Sequence, residues 1–446
     1  MATRTICAVA TPPGRGGVGV IRLSGPDAAA IGAAVAGPLP PPREARFRRF
    51  RNAAGEHLDE GLCLYFPGPK SFTGEDVVEL QGHGGPVVMD RLLQALIAEG
   101  ALLAEPGEFS ERAFLNGRMD LTRAEAIADL IEAGSEAAAR AAMRSLEGAF
   151  ADTVHDLVAA LTALRVHLES SIDFSDEPLE GLALNDLSRQ IEAIRQQIAA
   201  TQAAARQGQQ LREGLTVVIA GRPNAGKSSL LNALAGRDAA IVTAMAGTTR
   251  DVLDTHLHLD GLPLRVLDTA GLRESSDVIE REGVRRAQAA MAEADRILLV
   301  VDDGAAEQSD DDLMAELPAG VPVTRVLNKI DLSGRHPGLL AEEPNPCLAV
   351  SALTGEGMDA LRESLRRTAG VDEGEARFIA RRRHLLALEQ AAAALDEAAE
   401  AARTGLGEEL IAESLRVAQD ELGRITGAVT TEDLLGEIFS TFCIGK

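Results

Sequence analysis

The amino-acid sequence predicts a multidomain protein of the α/β and α classes, in which an α+β domain is followed by a helical domain that an α/β domain interrupts. Three observations predict this arrangement. Short β-like runs alternate with turn residues over residues 1–118, and alanine-rich helical periodicity follows over 119–212 and again over 373–446. A strand pattern with a glycine-rich turn lies between the helical stretches, within 213–372. We therefore expect the two helical stretches to form one discontinuous domain.

The first domain opens with two β-like runs, at residues 5–11 and 18–23, on either side of a loop rich in proline and glycine. The glycine pattern of that loop is not a dinucleotide-binding fingerprint, because its spacing is wrong and no strand–turn–helix unit surrounds it. The pattern alone therefore predicts an α+β fold and no function. Further strands are expected at 46–52, 62–66 and 76–82, with a helix at 86–99.

The helical domain begins with a capping-box pattern at Thr122 and Glu125, after which apolar residues recur every three or four positions to about Leu168. A second helical stretch is expected from about 184 to 211, and the periodicity resumes from about 376 towards 421. A disordered alanine-rich spacer is the alternative, but the regular placement of leucine and isoleucine favours helices with one buried face.

The inserted domain begins with an apolar run at 215–220, a turn at 221–228 and the start of an amphipathic helix. This order, with the pattern G-x-x-x-x-G-K-S, predicts a phosphate-binding loop. Backbone N–H groups of such a loop point inward, and the positive end of the helix favours an anion. We expect Lys227 to reach the β- and γ-phosphates and the Ser228 hydroxyl to ligate Mg²⁺. A chance glycine turn is the alternative, which the flanking strand and helix disfavour.

The motif Asn328-Lys329-Ile330-Asp331 follows a strand-like run at 321–327. The carboxylate of Asp331 can accept hydrogen bonds from the ring N–H and the exocyclic amine of guanine, and adenine presents no such pair of donors. The sequence therefore predicts GTP as the substrate.

Two further segments complete the set of motifs expected in a Ras-like GTPase domain. Asp268 closes one strand-like run and begins the sequence D-T-A-G, which places it near Mg²⁺ and lets the Gly271 N–H follow the γ-phosphate. Backbone groups of Ser351 and Ala352, after another such run, can contact the guanine. One of these motifs alone is a weak signal, but four in this order, each at a strand end, are a strong one.

Composition limits the classes of function. The chain has 446 residues, with 44 Lys and Arg against 68 Asp and Glu, and a formal net charge of −24. This balance argues against a general nucleic-acid coat and leaves room for one local basic patch. Neither the apolar run of a membrane helix nor a signal-peptide core is present, so we expect a cytoplasmic protein with no membrane partner. Cys7, Cys63, Cys347 and Cys443 lie too far apart in sequence for a C-x-x-C metal or redox pair, and the first three are expected in the core or in strands.

Several stretches outside the GTP-binding motifs point to one family. They are residues 10–19 (ATPPGRGGVG), 72–76 (FTGED), 82–85 (GHGG), 107–114 (GEFSERAF) and the terminal 442–446 (FCIGK). With these stretches the chain resembles, over its full length, the MnmE or TrmE family of tRNA modification GTPases.

The resemblance implies a homodimer that works with an FAD-dependent partner protein in a heterotetramer or larger complex. Together they would install carboxymethylaminomethyl or aminomethyl at C5 of the wobble uridine of certain tRNAs. A folate-binding type of N-terminal domain would hold a tetrahydrofolate derivative, 5-formyl or 5,10-methylene, as the one-carbon donor. The implied folate contacts are Arg22, Glu79, Arg118 and Lys446, and Arg118 stands where the family pattern has lysine. From the residues alone, Arg22 and Glu79 are equally compatible with surface charges on strands.

In the GTPase domain the resemblance implies a K⁺ ion beside the β- and γ-phosphates, held by Asn224, Thr243, Met245 and Thr248. Thr249 would be the second Mg²⁺ ligand, in switch I. The alternative for these two adjacent threonines is a strand start with β-branched residues. The resemblance also implies a K⁺-dependent GTPase that is activated when two GTPase domains dimerise.

Two catalytic residues are also implied by the resemblance. Leu272 stands where Ras-like enzymes carry the glutamine that orients the attacking water, and Glu280 would take over that task. From the residues alone, Glu280 would be an exposed acid at a helix start. Cys443 would act near the folate and the uridine as nucleophile, as proton donor or only by shaping the site. The predicted GTP-binding residues are Asn224, Ala225, Gly226, Lys227, Ser228, Ser229, Thr243, Thr249, Asp268, Thr269, Ala270, Gly271, Asn328, Lys329, Asp331, Ser351 and Ala352.

Two other classes of function remain as rivals at this stage. A ribosome-assembly GTPase would share the nucleotide motifs, but it would carry an RNA-binding appendage in place of the N-terminal domain and the cysteine tail. A one-carbon transferase that GTP merely regulates would share the folate site.

Overall fold

The computed structural model describes most of the chain. The described residues are 4–173, 184–236, 253–259, 262–268, 291–292, 294–305, 314, 317–318, 320–341, 345–368, 377–404, 407–442 and 444–445. They divide into two compact units: the first comprises Met1–Ala128, Leu146–Arg195 and Gln390–Lys446, and the second comprises Asp129–Ser145 and Gln196–Glu389.

The N-terminal part of the first unit is a six-stranded sheet with helices. Its strands follow the order β3-β4-β5-β2-β1-β6, in which β1 and β6 run parallel and the other neighbours run antiparallel. The expected strands are confirmed, although β4 begins earlier than its apolar run. The elements are β1 (Ile6–Val9), β2 (Gly16–Ser24), α1 (Ala28–Ala36), β3 (Arg46–Arg51), β4 (His57–Phe66), β5 (Val77–Gly84), α2 (Pro86–Ala98), β6 (Leu102–Leu103) and α3 (Glu108–Leu115).

One face of this sheet carries the core of the domain. Ile21 and Leu23 of β2 lie fully buried beside Val78 and Leu80 of β5, packed with residues of α1 and α2. Successive side chains of a strand point to opposite faces, so the residues between these apolar ones face away from that core. Arg22 lies between Ile21 and Leu23, and its position on the other face follows from this alternation.

The first helical stretch consists of three helices, α4 (Leu121–Glu132), α5 (Glu136–Glu147) and α6 (Ala149–Asp173), and the second is α7 (Leu184–Glu213). The start of α4 differs from the expectation. Asp120, and not Thr122, accepts the hydrogen bond from Arg123 N at 2.9 Å, and the Thr122 hydroxyl itself donates to Asp120 at 2.6 Å. The prediction that Thr122 caps the helix was therefore wrong, because the acidic side chain two residues earlier satisfies the free N–H group of Arg123.

The second unit is built on a seven-stranded mixed sheet of the order β12-β13-β11-β10-β7-β9-β8. Its five central strands run parallel, and the edge strands β8 and β12 run antiparallel to their neighbours. The two edge strands were not expected from the sequence. The elements are β7 (Leu215–Ala220), α8 (Lys227–Ala235), β8 (Leu253–Leu259), β9 (Leu262–Asp268), β10 (Arg296–Asp302), β11 (Val323–Asn328), α9 (Ile330–Ser333), β12 (Gly338–Ala341), β13 (Cys347–Ala349) and α10 (Met358–Thr368).

The C-terminal helices are α11 (Arg382–Thr404), α12 (Glu408–Thr426) and α13 (Glu432–Ser440). Arg165 of α6 donates to Gln419 of α12 at 2.9 Å, which joins the two sequence-distant helical stretches within the first unit. Helix α13 was not expected, although Thr431 gives its signal by accepting a hydrogen bond from Leu434 N. Among the residues that the structure describes, no helix combines the length and apolar content needed to cross a membrane.

Candidate functional site

The carboxyl ends of the parallel strands in the second unit meet at one edge of the sheet. Ile219 near the end of β7 pairs with Asp268 at the end of β9, and Asp302 at the end of β10 pairs with Asn328 at the end of β11. In open parallel sheets this edge is where ligands bind. The motifs found in the sequence therefore lie near one another, because each follows a parallel strand and the ends of these strands meet at one edge of the sheet.

The phosphate-binding loop depends on two glycines. Gly226 has φ 94°, and a Cβ there would lie 2.2 Å from the Asn328 side-chain nitrogen. Gly221 has φ 147°, and a Cβ there would lie 2.2 Å from the Val300 carbonyl oxygen. Both positions combine a backbone conformation that favours glycine with a close approach to a neighbouring strand.

Lys227 lies at the first position of α8, 7% exposed, and its ammonium group turns back over the loop. It donates to the carbonyl oxygens of Gly221 at 2.8 Å and Arg222 at 2.9 Å. A positive charge held by neutral carbonyl groups at a helix N-terminus is suited to an anionic ligand, which offers stronger acceptors.

Asn328 connects the loop to the segment that follows β13. Its amide nitrogen donates to Ala225 O at 3.0 Å, and its amide oxygen accepts from Ala352 N at 3.0 Å. The side chain is 2% exposed. Because both ends of the amide are used, Asn328 fixes the distance between these two segments.

The other two polar residues of this motif are also oriented by partners. Asp331 accepts a hydrogen bond from the Ser351 hydroxyl at 2.6 Å, and Ser351 in turn accepts from Thr354 N at 3.1 Å. Lys329 has φ 68° and donates to Asp302 at 2.7 Å. This hydrogen bond lowers the pKa of Asp302 below its usual value. Sequence reasoning missed Asp302, although an acid that directly follows an apolar strand is a recognisable signal.

The structure brings together one part of the predicted nucleotide site. Lys227, Asn328 and Asp331 are linked through the contacts above, and Asn224 (φ 63°), Ser228 and Ser229 lie exposed around the loop. The backbone of Asp268 ends β9, and its side chain is not described. The remaining predicted residues lie outside the described part of the chain: Thr243, Met245, Thr248, Thr249, Thr269, Ala270, Gly271, Leu272 and Glu280.

A second candidate site lies on the outer face of the N-terminal sheet. Arg22 of β2 and Glu79 of β5 are cross-strand partners, joined by hydrogen bonds of 3.0 and 2.9 Å, with side chains 20% and 15% exposed. The guanidinium carbon of Arg22 lies 5.3 Å from the ring centre of Phe72 and 5.9 Å from that of Phe109. A charged pair between aromatic rings offers hydrogen bonds and a flat apolar surface together.

A network of polar side chains connects the two segments that carry those aromatic rings. Glu75 accepts from Ser24 at 2.7 Å and from Arg112 at 3.0 Å, and the Ser24 hydroxyl lies 2.6 Å from that of Thr73. These residues belong to the stretches 72–76 and 107–114 that were singled out in the sequence. Their task is therefore to join the loop before β5 to helix α3.

The chain terminus reaches the same domain. A Cβ on Gly445 would lie 2.5 Å from Val9 O at the end of β1, the strand that pairs with β2 beside Arg22. Arg118 is exposed, and its side-chain stem lies against Gly74. Cys443 and Lys446 lie outside the described residues.

Two of the other cysteines are poorly suited to chemistry. Cys7 and Cys63 are buried, and burial raises the pKa of each thiol to about 11, so both remain protonated at neutral pH. In the part of the chain that the structure describes, no group of His, Cys, Asp and Glu side chains could hold a metal ion.

Comparison with known proteins decides the family. The model of the GTP-binding protein TrmE N-terminus matches residues 5–118, and the model of the MnmE helical domain matches residues 121–443. The chain belongs to the MnmE family. The resemblance drawn from the sequence is thus confirmed, together with the expected combination of a mixed α/β sheet, an N-terminal domain and a helical domain.

Two curated relatives named tRNA modification GTPase MnmE match over the full length of this chain. The one from Alkalilimnicola ehrlichii is 60% identical over 446 residues, all of both chains, and the one from Sodalis glossinidius is 54% identical over 458 residues and 99% of its length. The expected enzyme class, a GTPase, is confirmed by this membership. Among solved structures, a point variant of Era from Aquifex aeolicus bound to GDP and AlF4− is 29% identical; the match covers 40% of this chain and 66% of that one, with a TM-score of 0.29.

Proposed function

We propose that this member of the MnmE family hydrolyses GTP in a Ras-like domain and couples that hydrolysis to the modification of tRNA. Both curated relatives bear the name of that activity. The observation that supports guanine nucleotide binding best is the bracing of Asn328 between Ala225 and Ala352, with Asp331 held by Ser351 alongside. This arrangement joins the loop for the phosphates and the carboxylate for the base at a fixed spacing.

Each residue of the nucleotide site has a task in this proposal. The Asp331 carboxylate accepts the two donors of guanine, and the backbone of Ser351 and Ala352 lines the base. Lys227 gives up its two carbonyl acceptors for the β- and γ-phosphates. Ser228 and Thr249 would hold Mg²⁺, with Asp268 near it, and the exposed Ser228 hydroxyl at the start of α8 fits that role. A bound Mg²⁺ neutralises the charge that develops on the phosphate oxygens.

Hydrolysis requires a group that positions water, and Leu272 cannot do so. We assign that task to Glu280. Asn224, Thr243, Met245 and Thr248 would hold K⁺ beside the phosphates, and the exposed Asn224 side chain at the rim of the loop fits such a ligand. A cation there supplies the positive charge that an arginine provides in other GTPases. Closure of a second GTPase domain over the site would shield the K⁺ from bulk solvent and leave the attacking water in place, so activity should depend on dimerisation.

The outer sheet face suits a tetrahydrofolate derivative, in the 5-formyl or 5,10-methylene form. A pterin ring presents a ring N–H beside an exocyclic amine, the same pair of donors that guanine presents, and Glu79 is a carboxylate that can accept both. Arg22 and Arg118 would bind acceptor groups, and Phe72 offers a flat surface beside them. Lys446 would complete the set, and the approach of Gly445 to Val9 supports its placement near β2.

The one-carbon unit would go to C5 of the wobble uridine. We propose that an FAD-dependent partner protein joins the homodimer in a heterotetramer or larger complex to install carboxymethylaminomethyl or aminomethyl there, in the cytoplasm where tRNA is used. Cys443 would take part next to the folate, and the docking of the neighbouring Gly445 on β1 supports that location.

One experiment separates this proposal from its rivals. Cells that lack the gene are supplied with the unaltered chain or with Asp331→Asn, and the nucleosides of their tRNA are measured by mass spectrometry. The substitution removes a charge-assisted acceptor, which should weaken GTP binding at least tenfold at about 1.5–3 kcal/mol per bond. Modified wobble uridine should therefore be restored by the unaltered chain and reduced in Asp331→Asn.

The contrary outcomes are equally specific. Normal wobble uridine without the gene, together with defective ribosome assembly, would favour the ribosome-assembly GTPase. Modified uridine that is lost without the gene and fully restored by an Asp331→Asn chain with weak GTP binding would favour a one-carbon transferase that does not need GTP hydrolysis.

A further inference from the structure

The edge strand β3 and the turn before it are strongly basic. Residues 43–51 hold five arginines and one glutamate, a local charge of +4 in a chain whose net charge is −24. In the described part of the chain, β3 pairs with β4 on one side and with no strand on the other. We call this feature the arginine edge, and it consists of Arg43, Arg46, Arg48, Arg49 and Arg51.

Three of these arginines are held by backbone groups. Arg43, Arg48 and Arg51 donate to main-chain carbonyl oxygens, at 2.9 Å for Arg48 and 2.8 Å for Arg51. Among the described residues, no carboxylate forms an ion pair with any of the three. A guanidinium group has five N–H donors, so each of these side chains is oriented and still has donors for a further acceptor.

The other two arginines form ion pairs that solvent weakens. Arg46 lies 2.7 Å from Glu44, and Arg49 lies 3.6 Å from Glu60, with the arginine side chains 55% and 65% exposed. Exposed pairs of this kind contribute about 0–1 kcal/mol. The phosphate groups of a polyanion can therefore replace these carboxylates as partners of Arg46 and Arg49 at a small cost in free energy.

Phe47 shares one face of β3 with Arg49, whereas Arg46 and Arg48 lie on the other face of the strand. Phe47 is 57% exposed and stands opposite Leu62, which is 40% exposed, on β4. Proteins that bind single-stranded nucleic acid combine a basic surface along the backbone with aromatic rings on which bases stack. The arginine edge has both features, and arginine is better suited than lysine to bind phosphate with two hydrogen bonds.

Protection of an exposed sheet edge is the plainer explanation, since charged residues prevent edges from pairing with other chains. That purpose is served by a charge of either sign, and the chain is rich in acids. The edge strand β8 of the other sheet has the sequence Leu-Asp-Thr-His-Leu-His-Leu, without an arginine. Edge protection therefore does not account for five arginines in nine residues.

We propose that the arginine edge binds the phosphodiester backbone of the RNA substrate, with Phe47 as a surface on which an unpaired base stacks. This inference rests on the proposed function, because it assigns a place on the chain to the tRNA. The concentrated positive charge also favours the approach of RNA to the arginine edge, on a protein whose net charge is −24.

The test is binding of an unmodified tRNA transcript to the full chain at several salt concentrations. The variant R46Q/R49Q/R51Q removes three exposed charges and leaves the half-buried Arg48. Its matched control is R189Q/R403Q/R416Q, which removes three exposed arginines that are paired with acids on helices. The edge variant should bind about tenfold more weakly at low salt, and its salt slope should fall by about 2, at 0.7–0.9 per phosphate contact. The control should match the unaltered chain in both.

A second variant guards against a folding defect. R46K/R49K/R51K keeps the charge, so its salt slope should stay near that of the unaltered chain, and circular dichroism melting should give similar midpoints for all chains. Equal tRNA affinity and slope in the edge variant and the control would overturn the inference while leaving the proposed function intact. So would a changed sedimentation coefficient at equal tRNA affinity, because the strand would then contact a second copy of the chain. An unaltered chain that binds no tRNA would overturn the proposed function, and the inference with it.

Discussion

The proposed nucleotide site and the proposed folate site on the sheet face differ in which groups their polar side chains bind. In the nucleotide site, Asn328 is 2% exposed and both ends of its amide bind backbone groups that a ligand does not replace. In the sheet-face site, the two charged groups hold each other, since Arg22 and Glu79 are 20% and 15% exposed and directly paired. At the first site the contacts of Asn328 would stay in place when a ligand binds, whereas a ligand at the second must break an ion pair. Changes in the nucleotide site should accordingly have the larger effects.

The largest effect is expected on the rate of GTP turnover. The hydrogen bonds of Asn328 position the parts of the nucleotide site but do not catalyse hydrolysis, so turnover depends on other groups. Replacing K⁺ by Na⁺, or Glu280 by alanine, should reduce GTP turnover about 10³-fold, or about 4 kcal/mol of barrier, with GTP binding intact. Turnover is measured at matched ionic strength. Glu282→Ala, a neighbouring acid in the same segment, is the control and should keep nearly full activity. Equal turnover in K⁺ and Na⁺ would contradict the assigned cation, and equal loss in both glutamate variants would contradict the role of Glu280.

The next effect tests the bracing itself. Asn328→Ala should weaken GTP binding about thirtyfold, because two hydrogen bonds of about 1 kcal/mol each are lost and Ala225 O and Ala352 N are left without that partner. Calorimetric titration with GTP measures the change. Asn232→Ala, an exposed amide on the helix after the loop, should bind GTP normally. If Asn328→Ala binds GTP with normal affinity, the phosphate-binding loop and the segment after β13 do not depend on this amide for their spacing. The difference drawn above between the nucleotide site and the sheet-face site would then be unsupported.

A smaller effect is expected at the sheet face. Glu79→Gln should weaken binding of 5-formyltetrahydrofolate by about tenfold or less, because the charge-assisted bonds of about 1.5–3 kcal/mol are partly offset by the pair with Arg22 that the unaltered chain must break. Calorimetry measures this, with GTP affinity as an internal reference that should not move. Asp90→Asn, an exposed acid on α2, is the matched control. A loss as large as that of Asn328→Ala would show that the carboxylate is as well prepared for its ligand as the nucleotide site is.

The same contrast explains what the sequence could predict. The phosphate-binding loop is one contiguous segment, and so is the motif from Asn328 to Asp331. Each follows a strand, so the order of the motifs already predicts that they meet at one edge of the sheet. Arg22 and Glu79 lie far apart in the chain, and only the pairing of β2 with β5 brings them opposite each other. These two positions were named by the resemblance to the MnmE family, because the pattern of residues alone did not distinguish them from surface charges. Asp120 was missed as a helix cap because Thr122 presents the same chemistry two residues later.

The smallest expected effect concerns pH and the pair between Asp302 and Lys329. The hydrogen bond from Lys329 lowers the pKa of Asp302 below the usual 3.8. A carboxyl whose pKa is lowered by folding stabilises the folded state above its unfolded pKa, and that contribution disappears as the pH falls through the folded value. Because both side chains are about one-third exposed, the contribution should be about 0.2–1 kcal/mol.

Denaturant unfolding of the unaltered chain and of Asp302→Asn, from pH 7 down to pH 3, measures this contribution. The difference in unfolding free energy should be constant down to about pH 4 and should shrink below it, as the carboxyl takes up a proton and the pair is lost. Asp359→Asn, which removes a fully exposed acid on α10, is the matched control. A difference that persists unchanged to pH 3 would mean that Asp302 stabilises the strand end by its shape and hydrogen bonds alone. The nucleotide site would then owe its order to neutral contacts, like those of Asn328, and not to charge.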